Sequence, residues 1–100
     1  MAEKLTREII TQSLESSLQN DWSLNDSGDQ IERLFEFSNY YQTMAFANAV
    51  AWNAHQKDHH PDMLITYKTC RITFTTHSAG GLTQLDFDSA KTLDQLVFNE

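Results

Sequence analysis

The sequence is poor in residues that cross-link or stiffen a chain: its 100 residues include one cysteine, one proline and three glycines. The single cysteine, Cys70, excludes an intrachain disulfide and is typical of a reducing compartment, which predicts a cytoplasmic location. The first residues, MAEKLTRE, are charged where a secretory signal needs an apolar core. No apolar run approaches the roughly 20 residues of a membrane span. We therefore expect a cytoplasmic protein with no membrane contact.

Basic residues are also scarce, since seven Lys and Arg stand against 14 Asp and Glu, for a formal net charge of -7. Proteins that bind nucleic acid through its phosphates need clustered basic residues, so direct binding to nucleic acid is not expected. The acidity is explained by solubility alone. The length predicts a single domain over residues 1–100 with one core.

Hydrophobic periodicity predicts the order helix, two strands, helix, two strands, helix. Helices are expected at about 6–19, 38–57 and 83–97, and strands at about 22–25, 30–37, 61–67 and 70–77. The second strand is expected to place Ile31, Arg33, Phe35 and Phe37 on one side and Glu32 and Glu36 on the other, and in the fourth Cys70, Ile72 and Phe74 alternate with Arg71, Thr73 and Thr75. Thr6 and Ser38 are predicted N-caps, and Thr83 with Asp86 matches a capping box. The pattern predicts an α+β fold, α-β-β-α-β-β-α, with a four-stranded antiparallel sheet covered by helices on one face. The other face is then exposed to water or covered by a partner subunit.

All four histidines lie in the second half of the chain, and two of them, His59 and His60, stand directly before Pro61. A free imidazole titrates near pH 6.5, so it can donate and accept protons at neutral pH. Proline disfavours helical backbone in the residue before it, which predicts that the preceding helix ends ahead of this doublet. If strand three starts at Pro61 and pairs antiparallel with a strand four that ends at His77, the three imidazoles approach one small cavity.

Several of these residues also have structural interpretations. His55 and His59 at a spacing of four would share a helix face and could bind zinc, but no cysteine partner or His-Glu-x-x-His motif accompanies them, so a metal site is not predicted. Asp86 is explained as well by its capping box as by a role in catalysis. Core, interface or buried structural positions are expected for both tryptophans and the cysteine: Trp22, Trp52 and Cys70.

The spacing of the polar residues resembles the signature of the pterin-4a-carbinolamine dehydratases. The matching residues are His55-x-x-x-His59-His60-Pro61, Tyr67, His77 and Asp86. The similarity runs from Leu14 to about Val97 and includes Trp22, Phe35-x-Phe37, the alanine-rich helix and residues 76–82. Two positions depart from the family: His55 stands where an acid is common, and Leu85 where a basic residue is frequent. The resemblance implies the same α+β fold and subunits that assemble as homodimers or homotetramers.

The resemblance also implies a reaction. Family members remove water from a 4a-hydroxytetrahydropterin, the product of aromatic amino acid hydroxylases, to give a quinonoid dihydropterin. The pterin is then the substrate, no separate cofactor is implied, and a functional link to phenylalanine hydroxylase in tetrahydrobiopterin recycling is expected. An acid assists loss of the hydroxyl and a base removes the N5 proton. The implied catalytic residues are His59, His60 and His77, with His60 favoured as the acid, and the implied substrate-binding residues are Asp58, Pro61, Thr76, Ser78 and Asp86.

A non-catalytic role is the alternative, because vertebrate relatives also serve as dimerisation cofactors of a homeodomain transcription factor and bacterial relatives are linked to hydroxylase expression. Three imidazoles favour the enzyme, since binding alone would not require them. The side chain of the natural pterin, the assignment of acid and base, and the choice of dimer or tetramer stay open at this point.

Overall fold

The computed structural model describes residues 3–16, 18 and 21–96. Its elements, in chain order, are α1 (Arg7–Ser16), β1 (Ser23–Leu24), β2 (Ile31–Glu36), α2 (Tyr40–Lys57), β3 (Asp62–Ile65), β4 (Thr69–Phe74), a 3-10 helix (His77–Ala79) and α3 (Gln84–Asp94). The predicted α+β order is confirmed, and the 3-10 helix is an addition that the periodicity did not predict. Gln19 and Val97, the predicted ends of two helices, lie outside the described residues.

The four strands form one antiparallel sheet in the order β1-β2-β4-β3. The predicted pairing of β3 with β4 is confirmed, with Asp62 opposite Thr73 and Ile65 opposite Cys70. This register places the start of β3, which follows the histidine doublet, beside the end of β4. The sheet thus brings two distant segments of the chain to the same edge of the molecule.

One face of the sheet forms the core. Along β2, Ile31 and Phe35 are buried while Glu32 and Glu36 are exposed, which confirms the predicted alternation. The buried face packs against apolar side chains of all three helices: Ile10, Phe46, Val50, Phe87, Ala90 and Leu93. Cys70 and Trp22 are buried in this core as expected, whereas Trp52 is 62% exposed and is not a core residue. An interface role for Trp52 stays a prediction.

Local hydrogen bonds decide where the helices begin. Thr6 accepts a bond from the Ile9 N–H at 3.3 Å, as a cap of α1 should. The predicted Ser38 cap of α2 is wrong by one residue: Asn39 caps the helix, its side chain accepting from the Gln42 N–H at 2.8 Å. The Ser38 N–H instead donates to the Gln42 side chain. Either sequence position offers a suitable side chain, and only the backbone path selects between them.

None of the helices in the described residues has the length and apolar character needed to cross a bilayer. Helix α2 is the longest of the helices that the structure describes. Its 18 residues bury only one stripe, Thr43, Phe46, Ala47, Val50 and Ala54, and expose the rest to a greater or lesser degree. The helix therefore covers the sheet, and the histidine doublet follows its C-terminal end.

Candidate active site

Helix α2 ends in a way that turns the chain sharply toward the sheet. Asp58, directly after the helix, has φ 52° and ψ 41°, the one left-handed non-glycine residue in the described part of the chain. The next N–H, that of His59, donates to the Ala54 carbonyl at 3.2 Å. This is the hydrogen-bond pattern of a Schellman ending, which usually employs glycine at the left-handed position. The prediction that the helix stops before the doublet is confirmed.

This ending corrects one interpretation of the sequence. Because Asp58 reverses the backbone, His59 leaves the helix axis and does not share a helix face with His55. His55 stays on α2, exposed, with its ring centroid 5.8 Å from that of Trp52. The four-residue spacing that suggested a pair of zinc ligands therefore does not place the two rings side by side.

The ring of His59 is held on two sides. Its Nε2 lies 2.6 Å from Oδ1 of Asp86, and its plane stacks on Phe74 with centroids 5.7 Å apart and 8° between the planes. The side chain of His59 is 10% exposed, so a small part of it still reaches solvent. A ring fixed by both a carboxylate and an aromatic face has a defined orientation before any ligand binds.

Asp86 is the buried centre of this arrangement. It is fully buried, and its second oxygen, Oδ2, accepts from the Thr76 hydroxyl at 2.8 Å and the Thr83 N–H at 2.9 Å. The Thr83 bond is half of the predicted capping box, which is confirmed. Position in the first turn of α3 adds the favourable field of the helix N-terminus. A buried carboxylate needs such donors, because burial without them would cost several kcal/mol.

Thr76 joins the network from a third segment. Its hydroxyl lies 2.9 Å from that of Thr83, and its backbone forms an isolated antiparallel bridge with Gly81. Between these two residues the chain makes a tight loop, closed by Gly80 at φ 74°. The end of α2, the segment after β4 and the start of α3 thus converge on one carboxylate.

His77 was expected at the end of strand four, and this is wrong. Strand β4 ends at Phe74, and His77 opens the 3-10 helix within the loop between Thr76 and Gly81. The bridge to Gly81 makes the chain turn back, which an alternating pattern of polar residues cannot reveal. His77 is exposed, and its backbone follows directly on the residue that contacts Asp86.

The remaining predicted residues differ in their exposure. His60, Asp58 and Ser78 are exposed and Pro61 is half-buried. Within the described residues, the bond of His59 to Asp86 is the one hydrogen bond that a histidine ring makes. The structure therefore joins His59, Thr76 and Asp86 by hydrogen bonds. It leaves His60, which follows His59, and His77, which follows Thr76, exposed to solvent.

Two members of the network were missed as site residues. Thr83 was predicted only as a helix cap, and Phe74 only as an alternating strand residue. Thr83 contacts the groups that hold His59, and Phe74 stacks on the His59 ring itself. The capping box did carry a usable signal, because it places the Asp86 carboxylate at the N-terminus of α3. It did not reveal that His59 bonds to the other carboxylate oxygen, Oδ1.

A second carboxylate on α3 makes a similar contact at the far end of the helix. Oδ1 of Asp94 accepts from the Trp22 indole at 2.9 Å and from the Arg33 guanidinium at 2.6 Å. Arg33 also lies over the Phe35 ring, 4.4 Å from its centroid. Burial raises the pKa of Asp94 above its ordinary value, although the Trp22 bond and the Arg33 charge act in the opposite direction. Burial likewise raises the pKa of the Cys70 thiol.

Comparison with known proteins gives one family. The family model described as "Pterin 4 alpha carbinolamine dehydratase" matches residues 3–96. A protein of Nitrosomonas eutropha named "Putative pterin-4-alpha-carbinolamine dehydratase" is 50% identical over 93 residues, which cover 93% of this chain and 80% of the relative. A Nitrosomonas europaea protein of the same name is 48% identical over 85 residues, covering 85% of this chain and 74% of the relative.

Two solved structures share the fold. A "transcriptional coactivator/pterin dehydratase" from Brucella melitensis superposes with a TM-score of 0.89 at 27% identity, covering 96% of this chain and 100% of its own. A pterin dehydratase-like protein described as a RuBisCO assembly factor in the alpha-carboxysome gives a TM-score of 0.68 at 22% identity, covering 80% of this chain and 93% of its own. The second likeness is one of fold alone.

Proposed function

Because the chain belongs to the pterin-4a-carbinolamine dehydratase family, we propose that it removes water from a 4a-hydroxytetrahydropterin. The C4a–O bond breaks as an acid protonates the hydroxyl, which leaves as water. A base takes the proton from N5, and the electron pair of that N–H bond forms the C4a=N5 double bond of the quinonoid dihydropterin. No oxidant or reductant is consumed.

The observation that supports this proposal best is the pairing of His59 with the buried Asp86 at 2.6 Å. A histidine oriented by a buried carboxylate is a common arrangement for moving protons, because the carboxylate fixes the ring and stabilises its protonated form. His60 follows directly and is exposed, so it can meet a solute. A purely structural histidine would need neither the second ring nor the open side.

The roles divide by burial. We assign His60 as the acid for the 4a hydroxyl, with His59 and His77 completing the acid and base set. Asp58, Pro61 and Ser78 are the candidates for contact with the pterin, since each has exposed or half-exposed surface.

Thr76 and Asp86 suit a supporting role better than direct contact. They are 6% and 0% exposed, and their polar atoms bond to each other. Both residues were predicted to bind substrate, and in this proposal they act through His59 instead.

The biological setting belongs to the same proposal. Dehydration of this kind returns the pterin to a form that can be reduced, so the protein would serve tetrahydrobiopterin recycling beside a phenylalanine hydroxylase or a related enzyme. We place it in the cytoplasm as a homodimer or homotetramer. Relatives named for dehydration and a neighbour named for both dehydration and coactivation support the family context of this assignment.

The decisive experiment measures decay of the carbinolamine. The 4a-hydroxytetrahydropterin is generated in situ, and its ultraviolet absorbance is followed with and without the protein. We expect faster decay with the wild type and a rate lower by about 100-fold or more with His60→Ala, the size of a lost general acid. Glu36→Ala, exposed on the sheet face turned away from the helices, is the matched control. Wild-type protein that leaves the decay unchanged would refute the dehydratase proposal.

One feature favours the non-catalytic role as a second candidate. Several large apolar side chains are exposed on α2 and the sheet edge, among them Tyr40, Tyr41, Trp52, Leu64 and Tyr67. Exposed apolar groups of this kind are typical of surfaces that contact other proteins. An inactive but well-folded wild type would turn attention to this surface.

A further inference from the structure

We propose that Thr76 and Thr83 are positioning residues that orient Asp86, and that Asp86 in turn sets the tautomer of His59, so that His59 exchanges protons at Nδ1. The importance of this arrangement for catalysis rests on the proposed dehydratase function. The tautomer itself is a property of the folded protein and can be measured without substrate.

The direction of each hydrogen bond follows from counting protons. An ionised carboxylate only accepts, and a threonine hydroxyl has a single proton to donate. The Thr76 hydroxyl lies 2.8 Å from Asp86 Oδ2, so its proton is committed there. The bond of 2.9 Å between the two threonine hydroxyls must then be donated by Thr83 to Thr76. The chain of donors therefore runs from Thr83 through Thr76 to Asp86.

For an ionised Asp86, the same count gives the tautomer of His59. Oδ2 of Asp86 already accepts from the Thr76 hydroxyl and the Thr83 N–H, and Oδ1 faces Nε2 of His59 at 2.6 Å. Because Oδ1 has no proton to offer, Nε2 must carry one. A neutral His59 then has its lone pair on Nδ1. Proton uptake and release by His59 occur at Nδ1, while Nε2 stays bonded to the carboxylate.

Two further contacts keep this arrangement from relaxing. The His59 ring stacks on Phe74 with 8° between the planes, which restricts rotation out of the carboxylate's reach. Asp86 cannot turn its oxygens over, because both donors to Oδ2 come from rigid positions, one at the cap of α3 and one at the Thr76–Gly81 bridge. The two threonines thus determine which carboxylate oxygen is left for the histidine.

The arrangement makes an unusual prediction for Asp86→Asn. Both donors at the Oδ2 position require the amide oxygen there, so the amide NH2 must point at Nε2 of His59. An NH2 group only donates, hence Nε2 must accept and the proton of the neutral ring moves to Nδ1. The substitution keeps the shape of the site and inverts the tautomer, as happens when the aspartate of a Ser-His-Asp triad is changed to asparagine.

The test is nitrogen NMR of protein labelled with 15N-histidine at a pH where His59 is neutral, with His59→Gln used to assign its signals. We expect the proton on Nε2 in the wild type and on Nδ1 in Asp86→Asn. Thr76→Val removes the hydroxyl and keeps the shape, and the Asp86 carboxylate still only accepts, so the proton should stay on Nε2. With one of its donors lost, Asp86 is less firmly oriented, and we expect a turnover rate lower by about 10-fold and a displaced pH profile. Thr76→Ser should restore both. Thr92→Val on the exposed side of α3 is the matched control.

The outcomes separate this inference from the proposed function. A wild-type His59 with its neutral proton on Nδ1 overturns the inference, and this measurement needs no variant to fold. Thr76→Val with the turnover rate and pH profile of Thr92→Val overturns the positioning role of Thr76. If the wild type carries the proton on Nε2 and Asp86→Asn inverts it, while no dehydration is catalysed, the positioning of His59 stands and the dehydratase proposal falls.

Discussion

Helix α3 carries two carboxylates that accept a hydrogen bond from a ring N–H, one near each end, and only one of them is suited to proton transfer. Asp86 meets Nε2 of His59 at 2.6 Å, and Asp94 meets Nε1 of Trp22 at 2.9 Å. An indole N–H donates and never changes charge, whereas an imidazole gains and loses a proton near neutral pH. The contact at Asp86 is therefore suited to proton transfer, whereas the contact at Asp94 has a structural role.

The two carboxylates also differ in how their charge is balanced. Asp94 has the permanent charge of Arg33 at 2.6 Å and is 22% exposed. Asp86 is fully buried and relies on hydroxyl and backbone donors, together with a ring whose charge is variable. A fixed cation beside Asp86 would neutralise it whatever the state of His59. Among the described residues no such fixed cation contacts Asp86, so its charge balance depends on the His59 ring.

The largest expected contrast is in the rate of dehydration. Asp86→Asn should lower it by about 100-fold or more, because the wrong nitrogen of His59 then carries the proton. Asp94→Asn should change it by less than about three-fold, since the ring that bonds to Asp94 in the described part of the chain is an indole, which does not titrate. The carbinolamine decay assay measures both. Equal losses in the two variants would contradict the division drawn between the ends of α3.

At the Asp94 end of α3 the main expected effect of a substitution is on stability. Asp94→Ala leaves the Trp22 indole and the Arg33 guanidinium without their acceptor, and we expect the free energy of unfolding to fall by about 2 kcal/mol. Asp88→Ala, on the exposed side of the same helix, is the control and should cost less than about 0.5 kcal/mol. Urea unfolding provides the comparison. A loss at Asp94 no greater than at Asp88 would show that the cluster does not stabilise the fold.

A third polar group on α3 sharpens the comparison, because it has no acceptor. The Ser89 hydroxyl is buried, and it has no hydrogen-bond partner among the described residues. Ser89→Ala removes the unpaired group and raises helix propensity, so we expect a gain of about 1 kcal/mol and a higher Tm. Thermal unfolding followed by circular dichroism tests this. A lower Tm would mean that the hydroxyl is bonded in solution.

The smallest effect concerns the pH dependence of stability at the Asp94 end. Burial raises the pKa of Asp94 in the folded protein above the ordinary value of 3.8. Between those two values the folded state keeps a proton that the unfolded chain has lost, so this carboxyl's contribution to stability is complete below pH 3.8 and is lost as pH rises through the folded pKa. Asp94→Asn has no such proton to bind. The stability of the wild type relative to this variant should therefore decline with rising pH, as urea midpoints at several pH values would reveal; an unchanging difference would contradict it.

Much of the fold follows from local patterns. The alternation of Ile31 and Phe35 with two glutamates places one face of β2 in the core, and Thr83-x-x-Asp86 marks the start of α3. Both predictions depend on residues within one turn or one strand, where periodicity and capping chemistry act directly. The predicted first and last residues of the helices and strands were less accurate. Asn39 rather than Ser38 caps α2, because two adjacent side chains could do so and the backbone path decides.

The candidate site was also only partly predictable, because local sequence patterns do not show the path of the backbone between elements. The end of α2 before the His59-His60 doublet follows from the effect of Pro61 on the backbone. The turn of the chain after Thr76 does not, since it depends on a bridge to Gly81 that removes His77 from the strand. The interpretation of His55 and His59 as neighbours on one face failed because it assumed that the helix continued through Asp58, which instead adopts a left-handed conformation.

The sequence by itself determined the order of helices and strands, the end of the second helix and the resemblance to a family, because each of these depends on residues close together in the chain or on their spacing. Only the tertiary structure decided that the buried Asp86 bonds to His59, 27 residues away, through one oxygen and to Thr76 and Thr83 through the other. The direction of a hydrogen bond depends on the positions of atoms in three dimensions, and no spacing of residues specifies it.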